Sequence, residues 1–303
     1  MAHIDLITLN LFIAVAEEAS LAKAAEREHL VASAISKRLA DIELSLDIKL
    51  FERKPNGMFL TSAGAAFLRH ARLIMRNVAE LEVELKEFAE GVHGTIRVFA
   101  NGTAITSYLP ENLKTFLALY PKVRVELEES MTANTLRAVG DNEADIGIYG
   151  DVVVPTDLLS FEYRTDQLAL LVPKDHVLAS RKAVTFADTV EFSYIGTAKG
   201  SSIDTMLARA SSDLGVSLKM SIRTSGFGPI SCMVAAGLGL AVVPYPVAKM
   251  YEQMGVKALK LGERWAKRRL MICVRSMDSL TPAAAAFLEH LRKVTPADSG
   301  DAR

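Results

Sequence analysis

Residues 20–64 read SLAKAAEREHLVASAISKRLADIELSLDIKLFERKPNGMFLTSAG, and this stretch decides the fold of the first part of the chain. Ser20 suits the N-cap of a short helix opening at Leu21, because a serine hydroxyl accepts from the free N–H groups of a first turn. His29-Leu30-Val31 reads as a turn. A second helix is expected from Ala32 or Ser33 to Glu43. On it Ile35, Leu39 and Ile42 recur at i, i+4 and i+7, the spacing of a stripe to be buried. The opposite side carries Ser33, Lys37 and Ala40, with Ala34, Ser36 and Arg38 beside them. Small, hydroxylic and cationic side chains with no bulky apolar group fit the major groove of duplex DNA. Phe51-Glu52-Arg53-Lys54 and Met58-Phe59-Leu60 are expected to pair as a hairpin across Pro55-Asn56-Gly57, a strong tight-turn signal. Arg53 and Lys54 sit beside its tip, where cations meet phosphates next to the groove. Leu6, Leu9, Phe12, Ile13 and Ala16 form an amphipathic helix that packs behind the pair. Taken alone, Lys37-Arg38 is more simply a solvated basic face. The helix pair, the hairpin and their order favour the DNA reading.

Charge agrees locally. The whole chain of 303 residues has a formal net charge of −1. Between residues 20 and 76, however, ten Lys and Arg stand against six Asp and Glu. Localisation, rather than the total, points to a nucleic-acid partner. Half the residues are apolar, enough for two or three folded units. Only residues 297–303, ADSGDAR, look like a frayed tail. No apolar run approaches the ~18 residues of a membrane helix. Asp5, Glu17 and Glu18 among the first apolar residues do not read as a signal peptide. The expectation is a cytoplasmic protein with no membrane partner.

Enzyme chemistry finds little support. The histidines show neither HExxH nor HxxxH spacing, and the chain has no GxSxG elbow and no P-loop. Cys232 and Cys273 lack CxxC or metal-ligand spacing and are expected to pack as small apolar residues. No catalytic residue, metal or cofactor is expected. Gly237-Leu238-Gly239 lacks the third glycine of a dinucleotide motif and suits close helix–strand packing. Trp265 stands among Arg264, Lys267, Arg268 and Arg269. That cluster is either an interface patch or, more simply, a solvated loop over a half-buried indole.

Thr61 can cap a long helix running to about Glu90. Phe67, Ala71, Ile74, Val78, Leu81, Leu85 and Phe88 recur at alternating steps of four and three, an a/d seam over three heptads. About 28 residues at ~1.5 Å each give a rod of roughly 40 Å. The seam either packs on its own domain or, as its regularity favours, pairs with the same helix of a second copy. A homodimer then carries two reading heads for two half-sites.

After Gly91-Val92-His93-Gly94 strands and helices alternate. Strands are expected at 95–100, 122–128, 145–149, 168–172, 192–195, 219–224, 240–243 and 269–274. Helices are expected at 104–119, 133–141, 202–213, 230–236 and 282–293. Apolar strands alternating with helices imply parallel sheets covered by helices, and some 200 residues of this suggest two α/β lobes.

The chain resembles the LysR-type family of bacterial transcriptional regulators. The first 65 residues carry the resemblance without gaps, through Phe12-Ile13-Ala14-Val15-Ala16-Glu17, Ser20, Ala24-Ala25, Ala34-Ile35-Ser36, Glu43, Leu50-Phe51-Glu52-Arg53, Leu60-Thr61 and Ala63-Gly64. Many members begin the recognition helix with a polar residue, often Gln followed by Pro. Here Ala32 and Ser33 stand there, so that glutamine's base contact does not carry over. The resemblance extends more weakly through Gly94-Thr95-Ile96-Arg97-Val98, Leu109-Pro110, Tyr120-Pro121, Ala144-Asp145-Ile146-Gly147-Ile148 and residues 234–244. It implies a winged helix-turn-helix over residues 1–61, a coiled-coil linker over 62–90 and an effector-binding domain over 91–303. That domain would be periplasmic-binding-protein-like, with lobe I at 91–163 and 268–296 and lobe II at 164–267. A small-molecule effector in the cleft would alter promoter binding by a homodimer or homotetramer. The crossovers between lobes would fall near Tyr163-Arg164 and Lys267-Arg268. The other reading open to the sequence is a small-molecule-binding or catalytic α/β protein whose N-terminal helices only mediate assembly.

Physics places such a ligand at strand ends and helix starts, where free N–H groups gather. Asn101-Gly102-Thr103, Thr197 to Ser202 (with Ser201) and Thr224 to Gly228 (with Phe227) are such loops. Ser130 and Tyr149 end neighbouring strands. These residues offer hydroxyls, amides and one aromatic ring but no cation. An anion would depend on backbone N–H groups, and a neutral or partly apolar ligand fits as well.

Overall fold

The structure is a computed structural model that describes residues 4–55, 57–90, 92–150, 157–181 and 184–294, without the side chains of 80, 82–90 and 294. It divides into two compact units, Met1–Glu90 and Gly91–Arg303. The expected tail at 297–303 lies outside the described residues.

The first unit is a helical head with a hairpin. Helix α1 (Leu6–Glu18) is capped by Asp5, whose carboxylate accepts from the Thr8 N–H at 2.7 Å. Helix α2 (Leu21–Arg27) has Ser20 as N-cap. His29 takes a positive φ of 54° in the turn. Helix α3 (Ala32–Leu46) runs three residues past the expected end and buries Ile35, Leu39 and Ile42. Strands β1 (Phe51–Lys54) and β2 (Gly57–Leu60) pair with Phe51 opposite Leu60 and Lys54 opposite Gly57. Gly57 therefore opens β2, and Asn56 lies outside the described residues. In the core the Phe12 ring lies 4.7 Å from Phe51 and 4.5 Å from Phe67. Glu43 ties the end of α3 to the hairpin, accepting from the Leu50 and Phe51 N–H groups and from Lys49 Nζ. Burial would raise its pKa, but the Lys49 ammonium and the two backbone donors outweigh that and hold it low.

Helix α4 (Ser62–Glu90) starts under Thr61, whose Oγ1 accepts from the Gly64 N–H at 2.9 Å. A Cβ at Gly64 would stand 1.9 Å from the Leu50 carbonyl oxygen, so only glycine fits there. The expected seam of this helix divides. Ala71 is 1 % exposed, packed with Leu9 and Ile13 of α1, and Phe67 joins the same core. Ala71 is committed inside its own head, which corrects the expectation that it contacts a second copy, whereas Phe67 is only half-buried against the same core. The a/d spacing that suits a coiled coil also suits packing on α1. Ile74 and Leu81 remain open, at 42 % and 54 % exposure, with Val78 half-buried between them. The side chains of Leu85 and Phe88 lie outside the described residues.

The second unit begins with β3 (Gly94–Ala100), α5 (Gly102–Ser107) and α6 (Leu109–Leu119). The single helix expected at 104–119 breaks at Tyr108, because Pro110 has no N–H to continue it and fits a first turn instead. Next come β4 (Val123–Glu129), α7 (Thr132–Gly140), β5 (Ile146–Gly150) and β6 (Leu159–Pro173). They are followed by β7 (Ser193–Gly196), α8 (Ser202–Asp213), β8 (Lys219–Arg223), α9 (Phe227–Ala235) and β9 (Ala241–Pro244). Helix α10 (Tyr245–Met250) and strand β10 (Val256–Lys260), neither anticipated from sequence, precede β11 (Lys267–Val274) and α11 (Pro282–Val294).

The sheets are mixed, which corrects the expectation of parallel ones. β3 runs parallel to β4 and β5, and β7 parallel to β8. β11 is antiparallel to β5 and β6, and β6 is antiparallel to β9 and β10. The cause is connectivity. The chain crosses one way on β6 and returns on β11, so these adjacent strands oppose each other. β6 is one strand of 15 residues. Its first part pairs with β11 in the sheet over Ile96, Phe116, Ile146 and Phe287. Its last part pairs with β9 and β10 over Leu168, Leu170, Tyr194 and Val242. Asp166 on the outgoing strand faces Arg268 on the returning one where the two parts meet.

Candidate functional site

On the head, Ser33, Ala34, Lys37 and Ala40 of α3 are exposed on the side away from the buried stripe. Among the described residues Lys37 makes no ion pair or side-chain hydrogen bond. Ser36 is half-buried, and its hydroxyl accepts from Arg53 Nη2 at 2.9 Å, which joins the hairpin to the helix. Lys54 pairs with Glu52 at 3.1 Å and lies over the Phe59 ring. Arg38 behaves differently from its neighbours. Its Nη1 donates to Asp5 Oδ2 at 3.1 Å and to Thr8 Oγ1 at 2.9 Å. The sequence set it on the flank of the DNA face, but its cation is engaged at the cap of α1, because that N-terminus offers a carboxylate within reach. Asp5 is held down at about 2, chiefly by the Thr8 hydroxyl and N–H and further by Arg38.

In the second unit a cleft of about 530 Å³ opens between the two sheets' helices. One wall comprises Asn101, Gly102 and Thr103 at the end of β3, Glu128 to Ser130 at the end of β4, and the start of α7. The other comprises Thr197, Ser201 and Ser202 before and within α8, and Gly226, Phe227 and Pro229 at the start of α9. Eight of the nine residues singled out from the loops therefore line one cavity. Tyr149 does not. Its side chain is buried with Leu136, Val139 and Cys273, and its hydroxyl lies 3.1 Å from Ser160 Oγ. All five residues of β5 are buried, so no polar–apolar alternation along it tells which way Tyr149 faces.

The floor of the cleft holds a cation that none of the loop residues announces. Arg268, from β11, forms a buried pair with Asp166 of β6, at 2.9 Å from Nε and 2.6 Å from Nη2. Its Nη2 also donates to Thr103 Oγ1 at 2.7 Å, and its Nη1 to Ser202 Oγ at 3.1 Å. One guanidinium thus holds the helix starts of both walls. Tyr108 stands over the same carboxylate, its hydroxyl 3.5 Å from Asp166 Oδ1. Burial and the Asp166 charge push that phenol up to about 12. The sequence placed Arg268 at a crossover, but its partner is 102 residues away and no local pattern announces the pair.

The remaining polar groups favour a ligand with both donors and acceptors. The Asn101 side chain caps α5 through Oδ1, while its buried Nδ2 has no partner. Ser201 caps α8, and its hydroxyl lies 2.8 Å from Thr197 Oγ1. Arg223 braces this loop from behind, bonding Asp204 and, at 3.4 Å, the Thr197 carbonyl. Glu128 and Glu129 are exposed at the rim. Gly102 lets Glu129 approach, since a Cβ there would stand 2.7 Å from its Oε1. Among the described residues there is no cluster of metal-binding side chains, and no helix is long and apolar enough to cross a membrane.

Comparison with known proteins agrees along the whole chain. Residues 6–65 match the family described as bacterial regulatory helix-turn-helix protein, lysR family. Residues 89–296 match the LysR substrate binding domain. A probable RuBisCO transcriptional regulator of Phaeodactylum tricornutum is 28 % identical over 97 % of this chain and 98 % of its own. The RuBisCO operon transcriptional regulator of Allochromatium vinosum is 25 % identical over 95 % and 96 %. Among solved structures, full-length CbnR complexed with its target DNA superposes with a TM-score of 0.72 at 23 % identity, covering 96 % of this chain and 99 % of that one. The effector binding domain of QuiR in complex with shikimate gives 0.61 at 18 % identity, covering 67 % and 97 %. The helix-turn-helix head and the two-part α/β domain occur here in the same order as in those regulators, and the chain belongs to the LysR family of DNA-binding, ligand-responsive transcriptional regulators.

Proposed function

We propose that the exposed side of α3, Ser33, Ala34 and Lys37, enters the major groove, with Ser36 and Arg53 at its edge and Lys54 on flanking phosphate. A small polar effector occupies the cleft between Asn101–Thr103 and Ser201–Phe227. The reading rests above all on the cleft itself, where eight residues from four separate segments meet around one cavity. An acceptor group of the effector would meet the Asn101 amide and the hydroxyls held by Arg268. A donor group would face Glu128 and Glu129, and Phe227 with Pro229 would cover an apolar part. Because both walls hang on Arg268 at the crossover, an effector that draws them together favours one arrangement of the lobes and shifts DNA binding accordingly. The regulator works as a homodimer or homotetramer through the open part of the α4 seam. It acts in the cytoplasm and catalyses no reaction.

A thermal-shift screen of the full chain against small metabolites tests the cleft, since a ligand of the native state stabilises it by mass action. Hits are then titrated against Phe227→Ala. Losing a buried aromatic contact of ~1.5–3 kcal/mol should weaken them about 10- to 100-fold. Undiminished affinity in that variant would remove the ligand from this cleft.

A further inference from the structure

A second concavity lies farther along α8. It measures about 820 Å³ and is lined by Thr205, Met206, Arg209 and Asp213 of α8, by Trp265, and by Lys267 and Arg269 of β11. Arg268 lines both this groove and the effector cleft. The groove's charge is lopsided. Arg209, Lys267 and Arg269 bring three cations to it, and Asp213 brings the single carboxylate. Arg209 and Lys267 make no ion pair or side-chain hydrogen bond among the described residues. Lys267 and Arg269 are two apart on one strand, so their side chains leave on the same side, roughly 7 Å from each other. That span suits the oxygens of a phosphate group between them, and guanidinium groups bind phosphate bidentately.

The apolar part of the groove is an aromatic ring. Trp265 is half-buried, its indole in a T-shaped contact with Phe186 at 5.4 Å between ring centres, while the residue still lines the groove. Met206 and Ala210 extend that surface. An indole face beside cations is the arrangement on which a flat heterocycle stacks while its phosphate is neutralised. The volume falls within the ~300–1,000 Å³ of small-molecule sites, and a concave pocket of this size fits a small ligand better than a rod of duplex.

We propose that this groove is a second binding site, for a small phosphate ester that carries a planar ring. It is independent of the ligand assigned to the cleft. Trp265 is the only tryptophan of the chain, so its fluorescence reports the groove directly. The full chain is titrated with 5′-AMP at constant ionic strength, with pyrophosphate as the ring-free probe and potassium chloride as the blank. A saturable change in Trp265 emission with AMP is expected, with weaker binding of pyrophosphate and no response to chloride. The double variant Arg209→Gln, Lys267→Gln, both at exposed positions, should weaken AMP about tenfold or more through lost charge-assisted bonds. Its unchanged melting temperature would show that the fold is intact, and Arg209→Lys should restore part of the affinity if folding is disturbed. A linear, non-saturating response, or equal affinity in wild type and the double variant, would overturn the site. Equal affinity for pyrophosphate and AMP would overturn the role of the ring. A response to random duplex DNA without one to AMP would make the groove a nucleic-acid contact instead.

Discussion

Arg268→Met should be the most damaging single change in the second unit. The side chains of Arg268 and Asp166 are 3 % and 0 % exposed. Removing the arginine leaves the Asp166 carboxylate in the interior with, among the described residues, only the Tyr108 hydroxyl, 3.5 Å away, in reach. Breaking a buried pair in this way costs about 3–5 kcal/mol, most of it the penalty of the stranded charge. The Thr103 and Ser202 hydroxyls lose a donor as well, which holds the estimate at the upper end. A domain of this size moves ~2–4 °C in melting temperature per kcal/mol, so a fall of about 10–20 °C is expected. Differential scanning calorimetry of the full chain should show it in the transition of the second unit. The double variant Arg268→Met, Asp166→Leu removes both charges and should recover much of the loss. A cycle of the two single variants and the double one gives the coupling. A single variant within about 1 kcal/mol of wild type, or a double variant as unstable as the summed singles, would refute the view that a stranded charge governs this site.

Acid should loosen the head before pH 2 is reached. Asp5 is depressed to about 2 and Glu43 lies below its usual value. A depressed carboxylate contributes stability that is complete above its unfolded pKa near 4 and is lost as pH falls through the folded one. Melting temperature of the head should therefore be flat above about pH 5 and drop between about 4 and 2, with a shallower drop in Asp5→Asn; equal slopes in the two proteins would sink the assignment. Leu81→Asp with Ile74→Asp should yield monomers in sedimentation of the full chain, since each buried apolar side chain at a seam is worth ~1.5–3 kcal/mol and like charges across a two-fold axis repel. An unchanged oligomer would mean that the open half of α4 is not the contact.

Much of this architecture is legible in the amino-acid order, for reasons that differ by element. Ile35, Leu39 and Ile42 could be read as the buried stripe of α3 because one helix face faces one core. The loops at 101–103, 197–202 and 224–228 could be found because helix starts need small and hydroxylic residues whatever the distant contacts are. Other features depend on partners far along the chain. Arg38 looks like its neighbour Lys37 until Asp5 is brought to it by the packing of α1 on α3. Arg268 looks like one more surface cation in a run of four basic residues with Arg264, Lys267 and Arg269. The antiparallel crossing of β6 and β11 that buries it joins segments about a hundred residues apart. The heptad on α4 is ambiguous in principle, because a neighbour helix in the same chain and one in a second copy ask for the same spacing.

The measurement closest to the central claim is selection of duplexes from a random pool by the full chain, followed by titration of the winner at several salt concentrations. The account predicts an enriched sequence with two half-sites about one helical turn, or a multiple of it, apart. Lys37→Ala should bind it more weakly, and if Lys37 meets phosphate the salt slope should fall by about one unit. Arg38→Ala should leave the slope unchanged and lower the melting temperature of the head. No enrichment over random duplex, or Lys37→Ala binding as wild type does, would contradict the reading of α3 as the helix that meets DNA.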